Sequence, residues 1–249
     1  MNVTIEASIG VGKSTLLRNL KEILEQSEFS TSVFPEPTDS WEKTEKGNLL
    51  LMFSKNQGKY AMATQTHIMT TLNQQRANPP DTQLRIYERS LQSAKYVFQS
   101  GLAEQGFLNE MECLILDNLH EVLTKNMPIT DRIIYLRADP DVAYQRAKSR
   151  NGSSDRLLSL DYFKLLHKKH EQMVDNLISS GKIIHVIEAH MSEADIAKKA
   201  AEWIKKEARA MKEMNKKERN NEMNETKVHS TGHKESKQNE DGGKVMINT

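Results

Sequence analysis

Two glycines, a lysine and three hydroxyls stand together near the start of the chain, in the run Ala7-Ser8-Ile9-Gly10-Val11-Gly12-Lys13-Ser14-Thr15. Glycines let consecutive backbone N–H groups turn inward and cradle phosphate oxygens. A helix opening just after them adds its positive end. In this phosphate loop (P-loop), Lys13 would bridge the β- and γ-phosphates of a nucleotide, and the Ser14 hydroxyl would take Mg²⁺. The usual pattern opens with glycine, where this chain has Ala7. If that position needs a positive φ, alanine costs about 1 kcal/mol. If it needs only closeness, a methyl fits.

Three further groups sit where strands should end. They are Pro35-Glu36-Pro37, Glu88-Arg89-Ser90, and Asp139-Pro140 followed by Arg146 and Arg150. Ligands of open parallel sheets bind beyond the carboxyl ends of the strands. Phosphoryl transfer needs a base for the attacking hydroxyl, ligands for Mg²⁺ and a cation for the developing charge. Glu36, Glu88 and Arg89 supply that set. They could equally form a structural ion-pair network, and the phosphate loop on a neighbouring strand favours the chemical reading. Arg146 and Arg150, four residues apart, share one helical face, whereas Lys148 points elsewhere. That pair suits a lid closing over ATP phosphates.

The elements that must position these groups alternate. Strands are expected near residues 2–6, 32–35, 84–87, 132–136 and 182–187. Helical spacing covers 14–26, 49–77, 90–125, 140–180 with a break near Gly152, and 192–211. Alternation of this kind predicts a five-stranded parallel sheet with helices on both faces, an α/β architecture with a helical lid. From about Lys212 aromatic residues vanish, and a domain at 1–208 with a disordered charged tail at 209–249 is expected. His229 and His233 in that tail, and the tripeptides Asn2-Val3-Thr4 and Asn151-Gly152-Ser153, read as incidental.

Charged residues make up 28% of the 249 positions, yet the net charge is only +1. That balance gives no argument for nucleic-acid or membrane binding. One cysteine, Cys113, permits no internal disulfide and fits a reducing compartment. No apolar run approaches the ~20 residues of a membrane helix. The expected location is the cytoplasm, with the nucleus as the alternative.

Taken in order, the motifs resemble those of the deoxynucleoside kinase family over about residues 2–205. The resemblance rests on Ile5 through Thr15, Glu36-Pro37-Thr38-Asp39-Ser40-Trp41, Gln65, Glu88-Arg89-Ser90, Ala94-Lys95-Tyr96-Val97-Phe98, Tyr135-Leu136-Arg137, and Arg146 with Arg150. It implies a homodimeric enzyme that moves phosphate from ATP, with Mg²⁺, to the 5′-hydroxyl of a deoxynucleoside. By this resemblance Glu36 is the general base and Arg89 holds the hydroxyl. Glu88 lies on the Mg²⁺ side or is itself the proton acceptor. Phe98 stacks on the base, Trp41 walls the pocket, and the Gln65 amide pairs with the base edge. Asp155 stands where the family has a glutamate for the sugar 3′-hydroxyl, and Phe53 where it has a tyrosine for the same group. The stretch from Glu188 to Glu193 borders adenine. Deoxycytidine kinase places an Arg/Asp pair around the base where this chain has Leu72 and Ala94, which implies a pyrimidine of the thymidine-accepting kind. The competing readings are a thymidylate kinase, which needs extra arginines for the acceptor phosphate, and a nucleotide-binding protein without catalysis. Between Glu36 and Glu88 the arginines are Arg76, placed near a helix end, and Arg85, inside the expected third strand.

Overall fold

The computed structural model describes residues 1–125, 127–150 and 154–235, with side chains as far as residue 219. Asn151-Gly152-Ser153, with the expected helix break, and the side chains of His229 and His233 lie outside the described residues.

Five strands form one parallel sheet in the order β2-β3-β1-β4-β5. They are β1 (Asn2–Glu6), β2 (Thr31–Phe34), β3 (Leu84–Glu88), β4 (Arg132–Arg137) and β5 (Ile184–Glu188). In register, Val3 of β1 faces Ile86 of β3 on one side and Arg132 of β4 on the other. Val3, Ile5, Leu84, Ile86 and Ile134 are fully buried. Burial on both faces is the reason parallel strands read as near-continuous apolar runs. Each strand arrived within two residues of its expected bounds, because turn residues flank each apolar run.

The helices are more divided than their periodicity suggests. α1 (Lys13–Glu25) buries Leu16, Leu17, Leu20 and Leu24 on the sheet. A short α2 (Thr38–Glu42), not expected, follows the β2 loop. The stretch 49–77 breaks at Asn56 into α3 (Leu49–Lys55) and α4 (Gln57–Ala77), since the Asn56 side chain caps the second helix by accepting from the Lys59 N–H. The stretch 90–125 becomes α5 (Leu91–Ser93), a π-turn (Ala94–Gln99), α6 (Ser100–Glu104) and α7 (Glu110–Thr124). Gly106, at φ 74°, ends one helix and the Asn109/Glu112 capping box starts the next. Beyond β4 come α8 (Pro140–Ser149), a 3₁₀ turn (Ser154–Leu157) and α9 (Leu160–Ser179).

The chain divides into two compact units, Met1–Ile204 and Lys205–Thr249. The last helix, α10, runs Glu193–Glu235 rather than stopping near residue 211. Residues 209–235, expected as disordered, are therefore helical, and residues 236–249 lie outside the described residues. Lys, Glu, Ala, Met and Arg are good helix formers. A polar composition excludes a core contribution without excluding a helix.

Candidate active site

The phosphate loop takes the shape its glycines allow. Gly10 (φ 76°) and Gly12 (φ 114°) are left-handed, and Gly12 opens α1. Ala7 does not have a positive φ, and its methyl is fully buried. The position needs closeness, which alanine supplies without backbone strain. Lys13 Nζ folds back onto the carbonyl oxygens of Ala7 (3.3 Å) and Ser8 (3.2 Å). Burial, then the Arg89 charge, pushes the Lys13 ammonium below its ordinary value, against the pull of Glu36, Glu88 and Glu6.

Gly10 also touches the α8 backbone. A Cβ built there would lie 2.3 Å from the Ala143 carbonyl oxygen. Gly10→Ala is therefore expected to open the loop and raise the KM for ATP about tenfold or more, since left-handed strain alone costs roughly 1–2 kcal/mol. ATP saturation curves check this, and an unchanged KM would mean that α8 retreats freely.

Beside the loop, β3 ends in Glu88 and β2 in the Pro35-Glu36 turn. Ser14 Oγ donates to Glu88 Oε1 at 2.9 Å, and the Glu36 backbone N–H donates to Glu88 Oε2 at 3.3 Å. Arg89 Nε donates to Glu36 Oε1 in a close ion pair, with the two side chains only 6% and 13% exposed. Burial alone would raise the Glu36 carboxyl, but Arg89 and then Lys13 outweigh it and hold it below its ordinary value of 4.5. Among the described residues Arg89 is the one non-glycine with positive φ, 65°. Its guanidinium lies 4.4 Å from the centre of the Phe98 ring.

These groups open onto a cleft of ≈ 370 Å³. Ile9, Gly10, Gly12, Lys13 and Ser14 form its phosphate end. Trp41, Phe53, Gln65 and Phe98 line the other end, with Arg150 and Asp155 from the α8–α9 side. Trp41 is fixed by donating from Nε1 to Thr71 Oγ1 at 2.8 Å. The Gln65 amide is 2% exposed, and its Oε1 accepts no hydrogen bond. An adjoining recess of ≈ 240 Å³ is lined by Val11, Thr15, Arg146, Arg150, Ala189, Met191 and Glu193. Arg146 donates to the Val11 carbonyl (3.2 Å) and the Ala189 carbonyl (3.4 Å). The recess thus joins the phosphate loop to the segment after β5.

Val11, Thr15 and Arg146 line the recess rather than the cleft, and two expected residues line neither. Ala94 is fully buried and absent from its lining, because its one methyl packs inside the start of the π-turn and stops short of the surface. Ser8 is 5% exposed, and its carbonyl rather than its side chain meets Lys13. Conversely, Thr64 and Tyr162 line the cleft and were not anticipated. Tyr162 is buried on α9, and burial pushes its phenol well above the ordinary range, so it stays a neutral hydroxyl. Neither residue belongs to a local motif.

The donor set suits the groups that phosphoryl transfer requires. Two left-handed glycines, a helix start and a buried lysine make an anion cradle. A serine hydroxyl and a carboxylate within 2.9 Å of each other are hard oxygen donors of the kind Mg²⁺ prefers.

Comparison with known proteins identifies a family. The family model described as deoxynucleoside kinase matches residues 3–224. Human mitochondrial thymidine kinase 2 is 27% identical over 190 residues, covering 75% of this chain and 70% of that protein. Deoxycytidine kinase 2 of Gallus gallus is 30% identical over 194 residues, covering 68% and 72%. Mitochondrial deoxyguanosine kinase of Xenopus laevis is 28% identical over 192 residues, covering 68% and 71%.

Proposed function

Since the chain belongs to the deoxynucleoside kinase family, whose members use ATP as phosphate donor, we propose that it phosphorylates the 5′-hydroxyl of a pyrimidine deoxynucleoside, thymidine or deoxycytidine. The observation that carries the pyrimidine reading is the Gln65 amide. It lines the cleft with an unengaged acceptor, and an amide can present donor and acceptor together to a pyrimidine edge. Leu72 and Ala94, both fully buried and uncharged, bring no ionic pair to the base.

In this reading Glu36 accepts the proton of the 5′-hydroxyl. The hydroxyl oxygen bonds to the γ-phosphorus as the bond from that phosphorus to the β,γ-bridging oxygen breaks, and ADP departs. Arg89 holds the hydroxyl and offsets charge at the moving phosphoryl group. Lys13 and the loop N–H groups hold the donor phosphates. Ser14 and Glu88 would hold Mg²⁺, which when bound neutralises phosphate charge. Arg146 closes the phosphate side from α8, and Arg150, expected on the same helical face, does so from the extended residue just past the helix end. Phe98 and Trp41 flank the base, while Asp155 and Phe53 lie at the sugar.

A thymidylate kinase would need arginines for an acceptor phosphate. Neither arginine of that stretch serves, because Arg76 is buried against β1 and β3 and bonded to the Arg89 carbonyl, and Arg85 donates to the Pro80 carbonyl at 2.8 Å. The test is turnover with ATP and Mg²⁺ against each of the four deoxynucleosides and thymidine monophosphate. Turnover with thymidine or deoxycytidine and none with the monophosphate is expected. Turnover with the monophosphate alone would replace this reading, and purine preference would remove the pyrimidine part.

We also read the enzyme as a homodimer. Met111, Leu114, Ile115 and Val122 stand 48–63% exposed along α7, an apolar stripe suited to a second copy. Leu114→Glu is expected to shift the sedimenting species from dimer to monomer at micromolar protein. A wild-type monomer would discard the dimer.

A further inference from the structure

Behind the Glu88-Arg89-Ser90 turn lies a buried cation that the phosphoryl transfer itself does not use. Arg76 sits in the last turn of α4 and is 2% exposed. Its Nη2 donates to the Arg89 carbonyl and, at 3.4 Å, to Thr4 Oγ1. Its guanidinium lies 4.2 Å from the centre of the Tyr87 ring, which stacks in turn on Phe34 at 4.6 Å.

Burying that cation is costly. Burial pushes it down to about 10, although Glu6 pulls the other way. A residue serving only to fill space would be apolar at this position. What the charge does is visible at Arg89, whose φ of 65° is a conformation that side-chain-bearing residues avoid. Both ends of that residue are tied. Its N–H donates to the Ile5 carbonyl at 2.9 Å, and its carbonyl accepts from Arg76. The next residue is tied too. Ser90 Oγ donates to the buried Glu6 and accepts from the Gln92 and Ser93 N–H groups.

We propose that Arg76 is a positioning residue for phosphoryl transfer, holding Arg89 in its left-handed conformation so that the Arg89 guanidinium meets Glu36 and the acceptor hydroxyl. A charged donor on the carbonyl is stronger than a neutral one, and it reaches the turn from the side opposite the cleft. The proposal rests on the role given to Arg89 above.

The test is a double-mutant cycle in kcat. Arg76→Met and Arg76→Lys are made in the wild type and in the Arg89→Ala background, with KM for ATP and thymidine measured alongside thermal unfolding. Arg76→Met is expected to lower kcat about a hundredfold, the scale of a 1 Å misplacement, with KM for ATP within about threefold. Arg76→Lys should recover part of the loss. In the Arg89→Ala background neither substitution should lower kcat further, because the group they position is gone. A full additional loss in that background, or an unchanged kcat in folded Arg76→Met, would overturn the proposal. If Arg76→Met does not fold, Arg76→Lys and Arg76→Gln complete the same cycle. An Arg89→Ala enzyme with wild-type kcat is a different failure, since it removes the Arg89 role itself.

Discussion

Arg89→Ala is expected to lower kcat by about a thousandfold, the lower end of what a transition-state arginine contributes in phosphoryl transfer. The side chain is 6% exposed, so its charge acts in a site that excludes most water. It touches Glu36, lies over Phe98 and is surrounded by Glu6 and Glu88. Arg76 cannot take its place, being committed to the Arg89 carbonyl.

The loss carries a pH signature with a definite sign. Burial works to raise the Glu36 carboxyl, and the Arg89 charge is the largest influence lowering it. In the wild type the folded value is depressed below 4.5. Glu36 ionisation therefore contributes stability that is present above that pH and is lost as pH falls through the folded value. Without Arg89 the carboxyl rises, and the acid limb of residual kcat/KM should move to higher pH. Steady-state rates across the acid and neutral range check both parts. A kcat within tenfold of wild type would remove Arg89 from the transition state.

Glu36→Gln is the second large effect, expected at about 10²–10⁴ in kcat, the range for a positioned general base. Glutamine keeps the shape but cannot accept the proton. It also strands Arg89, because losing one partner of a buried pair typically costs about 3–5 kcal/mol. Glu6 and Glu88 remain near that guanidinium, which places the expected loss at the lower end, read by denaturant unfolding. Deoxynucleoside binding by calorimetry should change less than tenfold. The combination of retained binding and lost turnover separates a chemical role from a structural one. Wild-type kcat/KM should be level through neutral pH with its acid limb below about 4.5, and the variant should lack that limb. Turnover retained in Glu36→Gln would leave Glu88 as the base to test.

Much of this site was readable before any fold was known, for a physical reason. The phosphate loop, Glu36 and the Glu88-Arg89 pair lie at strand ends, where the chain direction alone brings them together. Parallel pairing of β1 with β3 and of β3 with β2 then places three sequence-distant motifs side by side. Ala7 illustrates the opposite case. Composition left open whether it needed a left-handed backbone, and only the observed φ decided it. Thr64 and Tyr162 were invisible because each is one helical residue whose cleft-facing role depends on how α4 and α9 pack. Arg89's own backbone strain was equally hidden, since no residue type announces a left-handed arginine. The extended α10 was missed because low hydropathy was read as disorder, when an exposed helix needs only propensity.

Glu88, proposed above as a cation ligand, also links two segments of the site. Its two oxygens accept from two different segments, Ser14 at the head of α1 and the Glu36 backbone in the loop after β2. One segment handles the donor and the other the acceptor, so a single carboxylate is a mechanical tie between the two halves of the reaction. Whatever re-engages Ser14 also shifts the acceptor loop, and the reverse must hold with equal free energy. The two substrates should then read one another through this side chain, each altering the other's dissociation constant by the same factor. Measuring each affinity with and without its partner would reveal that reciprocity, and Glu88→Gln should loosen it.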